Sequence, residues 1–222
     1  MTTPSAPEPD VDFPRVDPAL LDRFSALPAA NIGDAMLRMG CVDSRIRAVW
    51  SGATVHGSAF TVWTREGDNL FIHKALELAR PGDVIVVNGC GDESRALIGE
   101  LIGGRAKAKG LAGFVIDGAI RDASGLAEYG MPVFARAVTP AGPYKNGPGI
   151  LAEPVAIGGV VVRPGDVIVG DADGVVVVPL DRAAAIAEQA EAKRDSEDAS
   201  RAAIEEALRQ RNGATAARRV PS

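Results

Sequence analysis

The stretch Gly99-Glu-Leu-Ile-Gly-Gly-Arg-Ala-Lys-Ala-Lys-Gly-Leu-Ala-Gly-Phe-Val-Ile-Asp-Gly-Ala-Ile-Arg121-Asp122 decides the fold. Gly99-Glu100 opens a helix that closes over Ala106 to Gly110. The run from Leu111 to Gly118 is short, apolar and bounded by glycines, the pattern of a buried strand. Arg121 and Asp122 come just past its end, and ligands of α/β sheets bind at the carboxyl ends of strands. Arg121 offers paired planar N–H donors to an oxyanion. Asp122 can hold a hard divalent cation through oxygen, with waters filling the shell. The helix start contributes free backbone N–H groups suited to a carboxylate. The same pair also reads as an ordinary surface ion pair or helix cap.

On the N-terminal side, Pro18 to Met39 predicts two helices, with Asn31 or Asp34 near the start of the second; Asp34 reads as a cap or a site residue. Ile46 to Thr64 is β-like, two or three strands among glycines. Leu70 to Arg80 is a helix with Asn69 at its start, ending before Pro81-Gly82. His73 on this helix and His56 are the two histidines, and neither lies in an HxxxH or H-E pattern of a metal site. Arg80-Pro-Gly-Asp-Val-Ile-Val recurs as Arg163-Pro-Gly-Asp-Val-Ile-Val, a Pro-Gly turn launching a buried strand, either a duplicated half or convergent turn chemistry. Gly89-Cys-Gly91 lacks the third glycine of a dinucleotide loop, since Ser94 stands in its place. Residues 89–94 read as a loop at the mouth of the site, and 95–98 as a short strand feeding Gly99.

On the C-terminal side, Ala123 to Tyr129 is a helix and Met131 to Val138 a strand. Strands near 84–88, 112–117 and 132–137 thus alternate with helices, which indicates parallel pairing. Thr139 to Gly149 is a Pro/Gly loop carrying Tyr144 and Lys145, and Lys145 could meet a second substrate carboxylate. Glu153 to Pro179 is almost wholly β, with a hairpin turn at Asp171-Ala-Asp-Gly174. From Leu180 an Ala- and Glu-rich helix follows. The domain reading is a flexible arm over 1–17, one α/β domain over 18–180, a helix over 181–211 contacting a neighbouring subunit, and a disordered tail over 212–222.

Composition bounds the function. The 222 residues are 46% hydrophobic and 24% charged, ordinary for a globular protein. A net charge of −5 argues against nucleic acid as a direct ligand but not against a small anion. No apolar run reaches membrane-spanning length, and the acidic, Pro-rich start lacks the pattern of a signal peptide. Cys41 and Cys90 have no metal spacing and read as two buried, reduced thiols. Together these point to a cytoplasmic protein.

Several phrases carry a resemblance: Glu100, twenty residues, then Arg121-Asp122; Gly99-Glu100-Leu101; Gly113-Phe-Val-Ile-Asp117-Gly118; Gly142-Pro-Tyr-Lys145-Asn-Gly-Pro-Gly149; and Pro164-Gly-Asp-Val-Ile-Val-Gly-Asp171-Ala-Asp-Gly174. Over roughly residues 20 to 205 the chain resembles the family that holds the 4-hydroxy-4-methyl-2-oxoglutarate aldolases and the regulator of ribonuclease activity A. The resemblance implies a swivelling β/β/α domain, with central β-barrel-like sheets flanked by helices and a long C-terminal helix, assembled as a trimer or dimer of trimers. It also implies a metal-dependent (Mg²⁺ or Mn²⁺) pyruvate-forming aldolase that decarboxylates oxaloacetate at the same site. Asp122 would hold the metal. Arg121 would bind the developing oxyanion, and the N–H groups of Gly99, Glu100, Leu101 and Ile102 the carboxylate of the small keto acid. Glu100 would position the water that protonates the enolate, and Glu197 of a neighbouring subunit would take the hydroxyl proton. The acidic position is Asp in the best-described aldolases and Glu100 here, which displaces the carboxylate by about one bond length. A Schiff-base route through Lys74, Lys107, Lys109 or Lys145 lacks the apolar setting that a desolvated lysine needs. The alternative from the same resemblance is a non-catalytic regulator that binds a ribonuclease.

Overall fold

The structure, a computed structural model, describes the backbone of residues 11–217 and side chains to residue 211. Helices α1 (Pro18–Ser25) and α2 (Ala29–Ala35) lead into strands β1 (Arg47–Ala48) and β2 (Val55–Thr64). Helix α3 (Leu70–Leu78), strand β3 (Asp83–Ala96), helix α4 (Glu100–Ala108), strand β4 (Gly113–Ile120), helix α5 (Ala123–Glu128) and strand β5 (Val133–Val138) then alternate. Strands β6 (Gly149–Leu151), β7 (Val155–Ile157), β8 (Val160–Val162), β9 (Val167–Asp171) and β10 (Gly174–Val178) follow, and after a 3₁₀ turn helix α6 (Ala183–Ala217) closes the chain.

The main sheet runs β1-β5-β4-β3-β2-β9-β10, with β6 also paired to β2. β2, β3, β4 and β5 are mutually parallel, as the strand–helix alternation predicts. β1 and β9 join them antiparallel, and β9–β10 is the hairpin expected at Asp171-Ala-Asp-Gly174. β4 is buried at every position, which explains its continuous apolar run.

Distant strands of this sheet share one core. Phe134 of β5, Val55 of β2, Ile168 of β9 and Val175 of β10 belong to the same cluster. A Cβ at Gly170 would lie 2.9 Å from Val55 and 3.0 Å from Phe134. The sheet therefore curls on itself, the barrel-like arrangement expected of a swivelling β/β/α domain. Its other face is covered by α3, α4 and α5 through Ile72, Ile102 and Leu126, which pack with Ile98 around Phe60 and Phe114. Burying each of these rings contributes on the order of 2–3 kcal/mol.

Three boundaries differ from the sequence reading. Of the arm placed over 1–17, residues 1–10 lie outside the described residues, whereas 11–17 pack on the sheet. Phe13 meets Phe60 edge-on at 5.8 Å, and the Arg15 guanidinium grips Asp83 at 2.7 and 2.9 Å. The long helix buries Ala183, Ile186, Ala187 and Ala190 against α1 and α2 of its own chain, so its first turns belong to this chain's core. Of the tail placed over 212–222, the backbone stays helical to Ala217 and residues 218–222 lie outside the described residues.

The two thiols are also corrected: Cys41 and Cys90 are both exposed. Cys90 sits at φ +60° where β3 leaves its regular register, and Cys41 bridges the sheet edge at Val176. The loop and short strand read over 89–98 are instead a continuation of β3 as far as Ala96, with irregular pairing between Asn88, Asp92 and Ala96.

Candidate active site

The spacing between Glu100 and Arg121 has a structural cause. Beyond β3 the chain pairs with the end of β4: Leu97 N–H donates to Ala119 O (2.8 Å) and Arg121 N–H to Ile98 O (2.9 Å). This ladder sets Gly99 directly beside Arg121 and Asp122. A Cβ at Gly99 would lie 2.9 Å from Arg121 Cγ and 3.1 Å from Arg121 Nε, and would collide with Asp122 Oδ2. Only glycine permits that approach. Asp122 itself is left-handed, φ +55° and ψ +42°, a costly conformation for a residue with a side chain. Its carboxylate makes no capping bond to α5. It turns back to accept the Glu100 N–H (3.4 Å) and lies 3.3 Å from Arg121 Nε. The Arg121 and Asp122 side chains are 42% and 39% exposed, so their mutual attraction adds little stability.

These groups line a cleft of about 150 Å³, together with Asn69, His73, Leu101, Ile102, Arg105 and Lys145. Arg105, Arg121 and Lys145 outnumber the one carboxylate, Asp122, so the cleft favours an anionic ligand. At the start of α4, Ile102 N–H is taken by Gly99 O, while Leu101 N–H is a first-turn donor with no partner within the helix.

The opposite wall is held by a buried carboxylate. Asp68 is wholly buried and accepts N–H groups of Leu70 (3.0 Å), Asn146 (2.7 Å) and Gly147 (2.9 Å), with Arg65 at 3.2 Å. Burial opposes its ionisation, but these donors and the Arg65 charge win and hold its carboxyl below the usual aspartate range. Asn69 N–H donates to Tyr144 O (3.0 Å) and Tyr144 N–H to Gly67 O (2.8 Å). Residues 143–147 are thereby pinned to the start of α3. Burial, aided by Lys145 and Arg105, pushes the His73 pKa down, so its imidazole is neutral near pH 7.

Of the residues singled out from the sequence, Gly99, Leu101, Ile102, Arg121, Asp122 and Lys145 come together at this cleft. Glu100 supplies its N–H, but its carboxylate packs over Gly125 of α5, outside the cleft lining. Glu197 lies elsewhere in the chain, accepting from Asn31 Nδ2 (2.8 Å) and paired with Lys193 (3.5 Å). Asp34 caps nothing at the start of α2; it pairs with Arg38 (3.1 Å) and Lys193 (3.6 Å). His56 and His73 line separate cavities, and among the described residues no group of three His, Cys, Asp or Glu side chains gathers. Arg105 and Asp68 were not anticipated. Arg105 carries no local signal that sets it apart from the other charged residues of its helix, and the role of Asp68 depends on a loop more than seventy residues away.

A family model described as RraA-like, Aldolase/RraA, matches residues 29–177, from α2 into β10, and so spans the whole cleft. A protein of Halalkalibacterium halodurans, named provisionally as a 4-hydroxy-4-methyl-2-oxoglutarate aldolase, is 41% identical over 184 residues, covering 83% of this chain and 88% of its own. Streptomyces coelicolor RraAS2, described as an unusual member of the RNase ES inhibitor RraA protein family, superposes with a TM-score of 0.76 at 31% identity, over 85% of this chain and 98% of its own. The RNA-processing inhibitor RraA from Thermus thermophilis gives 0.63 at 31% identity, over 68% of this chain and 92% of its own. Among the described residues no helix is long and apolar enough to cross a membrane.

Proposed function

The chain belongs to the RraA-like, Aldolase/RraA family, and from that premise we propose that it is a divalent-metal-dependent lyase releasing pyruvate from a 4-hydroxy-2-oxo acid of the 4-hydroxy-4-methyl-2-oxoglutarate type. Oxaloacetate decarboxylation accompanies it at the same site. The observation that carries the reading is the meeting of Arg121, Asp122 and the open start of α4 in one cation-rich cleft. The Leu101 N–H would hold the carboxylate of the pyruvyl half. Cleavage moves the hydroxyl proton to a base, breaks the C3–C4 bond and leaves the electron pair as an enolate on the pyruvyl half. Arg121 would stabilise that oxyanion, which is where preorganised charge lowers a barrier most. Loss of carbon dioxide from oxaloacetate produces the same enolate.

A metal fits Asp122. One carboxylate oxygen faces Arg121 and the Glu100 N–H, and the side chain is part-exposed at the cleft. A single carboxylate with water completing the shell is the arrangement suited to Mg²⁺ or Mn²⁺. When bound there, such a cation would supply Lewis-acid polarisation of the keto oxygen. Glu100 would order the water that returns a proton to the enolate, once its carboxylate swings from Gly125 towards the cleft. Glu197 would serve only from a neighbouring copy in a homo-oligomer, a trimer or dimer of trimers. The exposed outer part of α6, with Ile204 60% and Leu208 45% accessible, is consistent with such a crossing.

A pyruvate-release assay with Mg²⁺ tests the proposal: activity should vanish with EDTA and return with excess metal. Activity that survives EDTA would remove the metal from it. The similarity to the two RraA structures favours a second reading, a ribonuclease-binding regulator. Absence of lyase activity together with capture of a ribonuclease in a pull-down would select it.

A further inference from the structure

Two polar atoms in the cleft wall have no partner. Asn69 is 3% exposed, and its Nδ2 donates to Leu97 O at 2.9 Å. Because a carbonyl oxygen only accepts, that bond fixes which end of the amide faces Leu97, and Oδ1 must point away. Asn69 makes no side-chain capping bond to α3, and its Oδ1 is buried without a hydrogen bond. His73, one helical turn further along the same helix, buries its Nε2 likewise. Both residues line the cleft that holds Arg121 and Asp122. Buried polar atoms left unpaired are costly, so two orphaned atoms on neighbouring residues of one cleft wall call for an explanation.

We propose that Asn69 and His73 together recognise a ligand hydroxyl, with Asn69 Oδ1 accepting its hydrogen bond in the bound ligand and His73 Nε2–H donating to its oxygen, the latter bond persisting to the alkoxide once a base has taken the proton. The chemistry of the two atoms selects the group. Asn69 Oδ1 needs a donor, which a carboxylate or a ketone lacks. His73, neutral at working pH, offers a proton without adding a fourth cation. A hydroxyl satisfies both. Resting on the lyase reading, the pair would contact the C4 hydroxyl of the aldol substrate, the one group there that both donates and accepts. Keto oxaloacetate has no such hydroxyl. The pair therefore distinguishes the two reactions of one site: it assists cleavage of hydroxy acids and is idle in decarboxylation. Asp68 and the loop it holds keep this wall in place.

The test compares two substrates in one protein. His73→Phe should lower kcat/KM for 4-hydroxy-2-oxo acid cleavage by about five- to tenfold, the worth of one hydrogen bond. Oxaloacetate decarboxylation should fall by at least threefold less than cleavage does, and an unchanged far-UV circular dichroism spectrum and thermal midpoint report that the variant is folded. His73→Gln, which restores a neutral N–H, should recover most of the loss. Equal losses on both substrates, no loss on either, or a Gln variant no better than Phe would overturn the proposal. In the wild type, 4-hydroxy-2-oxoglutarate should compete against oxaloacetate about five- to tenfold more tightly than 2-oxoglutarate does; equal competition would also overturn it. Wild-type protein inactive on both substrates would defeat the lyase reading instead. Calorimetric titration with the same two acids then decides the pair by itself, through a tighter or an equal affinity for the hydroxylated one.

Discussion

Two segments with the same opening, Arg80-Pro-Gly-Asp-Val-Ile-Val and Arg163-Pro-Gly-Asp-Val-Ile-Val, lie on either side of β2. Ser58 of β2 faces Asp83 on one flank and Val167 on the other. Locally the two are alike. Gly82 and Gly165 take φ of +85° and +87°, and Asp83 and Asp166 each accept the N–H of the preceding arginine at 2.8 Å. Beyond the turn they part. β3 is 14 residues long, pairs parallel with β2 from Asp83 to Asn88 and delivers the chain to the cleft, whereas β9 has five residues, pairs antiparallel with β2 from Val167 to Gly170 and folds into a hairpin. The carboxylates differ as well: Asp83 is held by the Arg15 guanidinium, whereas among the described residues Asp166 accepts the backbone N–H groups of Arg163 and Leu180. A repeated phrase therefore specifies how a strand begins, and the residues after it decide whether anything chemical sits at its end.

The sharpest way to break this contrast is Arg121→Ala, at the end of the strand that pairs with β3. Pyruvate release should fall on the order of 10²- to 10³-fold, with the thermal midpoint within about 1 °C because the side chain is part-exposed. Retained activity would mean that the β3 flank carries no more chemistry than its twin. Next comes Asp83→Asn, which leaves the Arg15 guanidinium without its buried partner. It should cost about 2 kcal/mol, a drop of roughly 4–8 °C by calorimetry. Asp166→Asn should do less, within about 1 kcal/mol and in the stabilising direction at neutral pH. Burial pushes the Asp166 carboxyl up, so the folded protein binds this proton more tightly than the unfolded chain does. Its contribution to stability therefore falls as pH rises from the ordinary aspartate range through the raised folded value. The stability of the variant, followed by denaturant titrations across that window, should change less steeply with pH; an unchanged slope would show that burial does not raise the Asp166 carboxyl.

Much of the site was legible because it is written in contiguous words. Gly99 and Arg121-Asp122 stand at the two ends of a helix–strand unit whose glycine boundaries and apolar run are local signals. The parallel core and the β9–β10 hairpin followed from similar signals. What was not legible arises where remote segments meet. Asn69 reads as a helix cap, yet its amide reaches Leu97. Cys90 follows an apolar strand and reads as buried, but the altered register after Asn88 turns it outward. Glu100 matches a motif position, while the bare surface of Gly125 gives its carboxylate another place to rest. Periodicity reports which face a regular element buries; it is silent once a strand bulges or a loop returns from elsewhere.

The clamp at Asp68 has a kinetic consequence. With Asn146, Gly147 and the beginning of α3 tied to one ionised carboxylate, the rim next to Lys145 is set before any ligand arrives. Little chain entropy remains to be surrendered on association, and capture need not wait for a segment to fold over. Turnover is then free to be governed by bond breaking rather than by gating, and its speed should depend only weakly on solvent viscosity.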